Sequence, residues 1–307
     1  MAEEPLVSVV LPTYNRARVL PKSIDSILAQ TFTDFELIIV DDGSTDNTKR
    51  LVTDYSARDS RVRYVKHEAN RGLAAGRNTG AREAHGRYIA NNDSDDVWIS
   101  DKLEKDVAAI QSASPNVGVV YSRLKKTLGN GTEVYVPADN WQWLNGNLHR
   151  SILEGNFITM QVTLIKKECF QNAGWFDEEF PAVQEGDFLL RVAKKYEFLY
   201  RPEVGVIAAV SPDSITANQG KRLTGKEMLF NKHLIDFKKY PHALARFSYS
   251  LGHAFSLRGD MKRGRKYLFL AWRNHLSHPK YLLAFFLSLF GSHTLYKKTG
   301  TIYLKLK

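Results

Sequence analysis

Apolar positions along the first 125 residues alternate between two periods. Val7-Ser8-Val9-Val10-Leu11-Pro12 is a near-continuous β-branched run, the pattern of a strand buried on both faces of a parallel sheet. Leu20, Ile24, Ile27 and Leu28 recur at i, i+4, i+7 and i+8, which predicts an amphipathic helix with Pro21 in its first turn. The alternation continues with a strand at Glu36–Val40, a helix opening near Ser44-Thr45-Asp46 and burying Leu51, Val52 and Tyr55, and a strand at Val62–Val65. A helix from Gly72 to Ala84, rich in small residues, leads to a strand at Tyr88–Ala90. A helix capped by Ser100 then carries Leu103, Val107 and Ile110 to a fifth strand at Val117–Tyr121. Strand and helix in strict turn predict an α/β fold with a mostly parallel sheet and right-handed crossovers.

Polar residues punctuate this pattern where the strands end. Thr13-Tyr14-Asn15 follows the first strand, Asp41-Asp42 the second, and Asn91-Asn92-Asp93-Ser94-Asp95-Asp96 the fourth. Ligands of open α/β sheets bind outside the carboxyl ends of the strands. Three carboxylates within four residues repel one another unless a cation or solvent offsets the charge. An Asp-x-Asp at a rigid strand end offers hard oxygen ligands suited to Mg²⁺ or Mn²⁺ holding a diphosphate. Convergence of three polar strand ends on one rim favours a site over a solvated loop.

Composition adds less. A chain of 307 residues, 43% apolar, has material for one large α/β domain with an extension. Met1-Ala2-Glu3-Glu4-Pro5 has no basic stretch followed by an apolar one, so no signal peptide is expected. The lone Cys169 excludes an intramolecular disulfide framework and a cysteine metal cage. Its setting, Lys166-Lys167-Glu168-Cys169-Phe170, reads as an ordinary helix start with a buried small residue. The net charge of +10 is lopsided: 25 basic against 30 acidic residues up to position 220, then 18 against three from Lys221 onward. A basic tail implies an anionic partner, a membrane surface or nucleic acid.

Four motifs in order make the reading specific. They are residues 7–15, then Gln30-Thr31-Phe32 through Val40-Asp41-Asp42-Gly43-Ser44-Thr45-Asp46, then Asn70-Arg71-Gly72 through Gly76-Arg77-Asn78, and finally Asp93-Ser94-Asp95-Asp96-Val97-Trp98. Together with Gly174-Trp175-Phe176-Asp177-Glu178 they resemble the inverting, GT-A-fold glycosyltransferases of family 2, over about residues 1–215. The resemblance implies a GT-A (Rossmann-like) mixed, mostly parallel sheet flanked by helices. It places a catalytic domain at 1–220, with a nucleotide-binding half to about 122 and an acceptor-side half at 123–220. A basic α-helical extension follows at 221–307. It implies transfer of a sugar from a nucleotide-diphosphate sugar, a UDP-sugar being the expected donor, to an acceptor hydroxyl on a lipid-linked or surface glycan, assisted by Mn²⁺ or Mg²⁺. Pro12, Thr13 and Tyr14 would line the nucleotide pocket, and Asp42 would accept from the imide N–H of a uracil or similar base. Asp41 would support the turn. Arg77, or Arg71, would approach the diphosphate, Asp93 would sit near ribose or sugar, Asp95 would bind the metal, and Asp96 would cap the next segment.

The base is expected in Val183-Gln184-Glu185-Gly186-Asp187-Phe188-Leu189-Leu190-Arg191, where Gln184 replaces the usual Glu and Glu185 the usual Asp. Glu185 is the expected general base, with Asp187 a cap or acceptor contact. A histidine often found as an extra metal ligand is absent from Val206–Pro212. Between the halves, Gly129-Asn130-Gly131 predicts a hairpin turn. Trp141 and Trp143 suit sugar stacking or packing.

Beyond Lys221 the pattern is helical, with Gly259 between two helices that resemble one tetratricopeptide hairpin. The ten-residue apolar run Tyr281–Phe290, flanked by Arg273, Lys280, Lys297 and Lys298, is too short to span a bilayer. It suits an interfacial helix at the cytoplasmic face of the cell membrane, or one docked on protein. The six histidines of the tail lack metal spacing. Two other readings are a sugar nucleotidyltransferase and a non-enzymatic membrane- or nucleic-acid-binding protein. Pro12-Thr13-Tyr14-Asn15-Arg16 lacks the glycine of a triphosphate loop, and the tail has no nucleic-acid reader motif.

Overall fold

The computed structural model describes residues 4–139, 141–142, 144–155, 157–208, 219–290 and 293–303. The chain divides into two compact units, one of Met1–His149, Phe157–Glu179 and Gln184–Ser214, the other of Arg150–Asn156, Phe180–Val183 and Ile215–Lys307.

The first unit is built on a mixed sheet. β1 (Val7–Thr13), β2 (Phe35–Asp41), β3 (Val62–Lys66) and β4 (Tyr88–Asn91) are parallel, in the spatial order β3-β2-β1-β4. The sheet continues through β8 (Thr163–Lys166), β6 (Val117–Thr127), β9 (Glu197–Ala208) and β5 (Val97–Trp98), with β7 (Glu133–Val136) paired to β6. Among these later strands β8 runs antiparallel to both β4 and β6, whereas β9 is parallel to β6. Every residue of β1 and β2 is buried, as their unbroken apolar runs require. The strand order reverses at β1, so the ends of β1 and β4 flank the crevice at the sheet's switch point.

The helices α1 (Leu20–Leu28), α2 (Thr48–Arg58), α3 (Leu73–Glu83) and α4 (Lys102–Ser112) follow the expected order. α3 approaches β1 closely because Gly76 and Gly80 leave room: a Cβ on Gly76 would stand 3.0 Å from Pro12 Cβ, and one on Gly80 would overlap Val10. That approach brings Arg77 to the rim.

Two helix starts differ from expectation. α2 opens at Thr48 because Ser44 N–H donates to Asp41 Oδ1 (2.8 Å) while Thr45 N–H and Asp46 N–H donate to Asn15 Oδ1 (2.8 and 3.3 Å). Donors engaged by side chains from the strand ends hold those residues in a turn. Ser100 does not cap α4. The helix opens at Lys102, and Leu103 N–H donates to Gln30 Oε1 at 2.9 Å, so a side chain 73 residues upstream serves that end. The two-residue β5 and the extension of β6 to Thr127 carried no clear periodic signal. The β6–β7 hairpin does turn at Gly129-Asn130-Gly131, with Gly131 at φ +80°. Trp141 packs on Phe157, ring centres 4.4 Å apart, while Trp143, Asn156 and the segment 209–212 lie outside the described residues.

Further along lie α5 (His149–Glu154), α6 (Lys167–Ala173) and α7 (Gln184–Val192). Cys169 is fully buried on α6, and burial pushes its thiol up to about 12, which suits packing and not nucleophilic work.

The second unit is helical: α8 (Gln219–Lys232), α9 (Leu234–Lys238), α10 (Pro241–Leu257), α11 (Met261–Asn274), α12 (Pro279–Phe290) and α13 (His293–Tyr303). α10 and α11 form the expected hairpin around Gly259 (φ +87°), and Asp260 caps α11 by accepting from Arg263 N–H at 3.0 Å. A Cβ on Gly252 of α10 would stand 2.7 Å from Leu268 N, so the hairpin closes to near backbone contact. Among the described residues no helix is long and apolar enough to cross a membrane.

Candidate active site

The site lies at the carboxyl ends of β1, β2 and β4. Asp41 and Asp42 leave β2 in opposite roles. Asp41 is fully buried and accepts from Ser44 N–H and from the Tyr64 hydroxyl (2.8 and 2.6 Å). Burial and that carboxylate push the Tyr64 phenol above its ordinary value. Asp42 gathers three donors: His67 Nδ1 at 2.7 Å and Arg71 N–H at 2.9 Å on Oδ1, and Gly72 N–H at 2.7 Å on Oδ2. His67 Nδ1 faces the Asp42 carboxylate, which can only accept when ionised, and its Nε2 lies 2.9 Å from Thr79 Oγ1. About four lone-pair sites exist on a carboxylate, which leaves Asp42 room for a further donor. Asp42 thus fastens the β3–α3 connection as well as facing the rim.

The acidic loop after β4 is held from behind by α1. Asn92 Nδ2 donates to Ser23 Oγ at 2.9 Å, Ser23 Oγ donates to Asp93 O at 3.2 Å, and Trp98 N–H donates to Ser26 Oγ at 3.1 Å. Asp96 is buried, with Oδ2 accepting from Gln161 Nε2 at 2.9 Å. Asp93 and Asp95 are half-exposed. Burial, and then the neighbouring Asp93 charge, raise the Asp95 carboxyl above its ordinary value, against the opposing pull of Arg16 and Lys126.

Arg77 joins the two sides of the site. Its side chain is only 2% exposed. Nη2 donates to Asp93 Oδ1 at 2.9 Å, and Nη1 stands 3.5 Å from Glu185 Oε2 at the first turn of α7. The guanidinium also lies over Phe176, 5.7 Å from the ring centre. Its Nε and Nη1 make no hydrogen bond to the described residues, and neither do Thr13 Oγ1, Asn91 Nδ2 and Asn92 Oδ1 nearby in the chain's rim segments. Buried polar atoms are nearly always satisfied, so open ones at these strand ends leave donors and acceptors for water or a polar ligand.

The remaining candidates separate. Pro12 and Thr13 are buried at the end of β1, and Tyr14 is 44% exposed beside them in sequence. Arg71 is exposed, with its guanidinium 3.2 Å from Glu178. Asp187 is fully buried and accepts from Arg191 Nε and Nη2 (3.0 and 2.8 Å). Arg191 in turn donates to the carbonyls of Ala173, Gly174 and Trp175. Through Arg191, Asp187 thus helps hold the Ala173–Trp175 turn. Val183, just before α7, has φ +59°, an outlier for a β-branched residue at the point that sets Glu185's position.

Asn15, His67, Asn78 and Glu178 were not singled out from the sequence. Asn78 Oδ1 accepts from Phe176 N–H, and its Nδ2 donates to Phe176 O (both 2.9 Å) and to Glu178 Oε1 (2.8 Å), which locks the Phe176–Glu178 turn onto α3. Asn78 and Glu178 stand inside the recognised motifs; His67 carries no such signal.

For a divalent cation the donor set fits in part. Asp95 presents a crowded, hard carboxylate that a cation would relieve. Among the described residues no three His, Cys, Asp or Glu side chains group as ligands, so the protein offers few ligands and phosphate oxygens and water would complete the shell.

Comparison with known proteins agrees with this architecture. Residues 8–163 match the model of glycosyl transferase family 2. The chain is 44% identical over 103 residues to the Escherichia coli UDP-Glc:alpha-D-GlcNAc-diphosphoundecaprenol beta-1,3-glucosyltransferase WfgD, covering 34% of this chain and 40% of that protein. The first curated relatives are matched over less than half their length. Staphylococcus aureus TarS 1-349, solved with UDP-GlcNAc, superposes with a TM-score of 0.75 at 19% identity, over 97% of this chain and 91% of TarS 1-349. The Pyrobaculum calidifontis mannosyltransferase PcManGT, solved with GDP-Man and Mn²⁺, gives a TM-score of 0.63 at 21% identity, over 99% and 89%. At those identities the likeness is one of fold. The family model, in contrast, spans half the chain, from β1 to the start of β8, including Asp42, Arg77, Asp93 and Asp95, which places this chain in glycosyl transferase family 2, with a GT-A fold.

Proposed function

We propose that the protein transfers a sugar from a nucleotide-diphosphate sugar to an acceptor hydroxyl, with inversion, in a single displacement. The observation that carries this reading is Arg77: a buried guanidinium with unsatisfied nitrogens, set between Asp93 and Glu185 at the switch point of the sheet. Thr13, Tyr14 and Asp42 would take the nucleotide, and Arg77 with Asp93 the diphosphate and sugar. The acceptor oxygen attacks the anomeric carbon while the bond from that carbon to the phosphate oxygen breaks, its electron pair leaving on the diphosphate. Glu185, 29% exposed and so open to an acceptor, takes the hydroxyl proton. Asp95 would hold Mn²⁺ or Mg²⁺, which when bound supplies positive charge to the leaving diphosphate.

A UDP-sugar is the favoured donor and a lipid-linked or surface glycan at the cytoplasmic membrane face the favoured acceptor. The name of WfgD supports a UDP-sugar donor and a lipid-linked acceptor, and the UDP-GlcNAc-bound TarS fragment supports the donor. A thermal-shift screen of UDP-, GDP- and dTDP-sugars, with and without Mn²⁺, tests the donor site. Stabilisation by one nucleotide family is expected, and no stabilisation by any would remove the proposal.

A further inference from the structure

α12 leaves three large apolar side chains exposed on one face. Tyr281, Ala284 and Ser288 form its buried face, while Leu283, Phe286 and Leu289 are 40%, 43% and 45% exposed. A helix apolar all round ordinarily lies within a core or in lipid. Here one face packs inward, with Ala284 against Leu268 and Tyr296, Phe285 and Leu287 half-buried against the same cluster, and Tyr281 against Ala245 and Ala271, while the opposite apolar face is left uncovered among the described residues. The exposed face does not stop at α12. Trp272 of α11 stacks on Phe285 at 5.5 Å and reaches Phe286 at 6.2 Å, and Phe269 of α11 meets Phe285 at 5.3 Å.

Charge frames this aromatic surface. Lys262, Lys266, Phe269 and Arg273 follow at i, i+4, i+7 and i+11 along α11, and all four are exposed. Lys297 and Lys298 are exposed on α13. From Met261 to Lys307 the sequence has ten Lys or Arg and no Asp or Glu. Two copies meeting through this face would bring cations onto cations, which argues against self-association. A twelve-residue helix is about 18 Å long, too short to cross the ~30 Å hydrocarbon layer of a bilayer.

We infer that the α11–α12 face is a docking surface for an anionic lipid bilayer, with Leu283, Phe286 and Phe269 entering the interface and the α11 cations meeting the headgroups. This deepens the proposed function, resting on it only for the consequence that a lipid-linked acceptor is met at the surface.

Co-sedimentation of the full chain with vesicles of phosphatidylcholine alone, or mixed with phosphatidylglycerol, tests it. Binding to the mixed vesicles should exceed binding to the neutral ones at least about tenfold and weaken in high salt. Leu283→Ser with Phe286→Ser, and separately Lys262→Glu with Lys266→Glu, should each reduce it about tenfold or more with the melting temperature retained. Absence of wild-type binding, or binding that ignores lipid charge and both variants, would overturn the inference. So would a dimer abolished by the serine variant, because the face would then belong to a second copy. Nucleotide-sugar stabilisation read on the same samples separates the two ideas: vesicle binding without it keeps the surface and removes the enzymatic reading, and the reverse removes only the surface.

Discussion

Nη1 of Arg77 stands 3.5 Å from Oε2 of Glu185, while Nη2 of the same guanidinium is hydrogen-bonded to Asp93. One buried cation thus orients a carboxylate from each side of the proposed reaction. A planar fork does this where an ammonium cannot. Arg77→Lys should lower kcat/KM about 10- to 100-fold while the protein stays folded, measured by initial rates against circular dichroism. Unchanged kinetics would make Arg77 a packing residue.

Asp95 holds its proton more tightly in the folded chain, because burial and then Asp93 disfavour its charge. In that pH interval the native state binds more protons than the unfolded one. Stability of the metal-free protein therefore falls as pH rises from the ordinary carboxylate value through the raised one. A cation competes for the same oxygens and gains affinity over that interval. Asp95→Asn should flatten this pH dependence in thermal melts and reduce Mn²⁺-dependent transfer about 100-fold or more.

Asp42→Asn places an amide against the backbone N–H groups of Arg71 and Gly72 and against His67. A donor facing donors leaves buried groups unsatisfied. The variant should lose about 1–3 kcal/mol in urea denaturation and bind nucleotide more weakly. If binding weakens and stability does not, Asp42 serves the ligand alone.

Behind the acidic loop, Asp106 accepts from Lys102 Nζ at 2.6 Å and Arg201 Nε at 2.8 Å, and Lys102 lies 4.4 Å from the Trp98 ring. Burial pushes the Lys102 amine down, and Asp106 pulls it back. Asp106→Ala leaves buried Lys102 without its anion and Arg201 with only the more exposed Glu203 (3.1 Å), and should cost about 3–5 kcal/mol by denaturant melts. Retained stability would show that water reaches the cluster.

The periodic part of the fold was legible in the sequence because β1, β2 and β4 are buried on both faces and α1 to α4 carry an apolar face against the sheet. Residues such as Val9, Ile38 and Ile24 report that directly. The exceptions have a common cause. Gln30 serving α4, Asn15 holding back α2, and Ser23 with Ser26 supporting the acidic loop are contacts between residues 30 to 73 positions apart. No periodicity encodes them. At the site, the spacing of Asp93 and Asp95 and the motif around Arg77 were readable. That Arg77 would bridge Asp93 to Glu185 was not, because it depends on how closely Gly76 and Gly80 let α3 approach β1. His67, a lone histidine before α3, became visible only through Asp42.

The proposed mechanism depends most on Glu185. Glu185→Gln keeps the shape of the side chain but cannot take a proton. With the preferred nucleotide-sugar, Mn²⁺ and acceptor, it should retain donor binding by titration calorimetry while transfer falls about 10²- to 10⁴-fold. Transfer at the wild-type rate by Glu185→Gln would contradict the account.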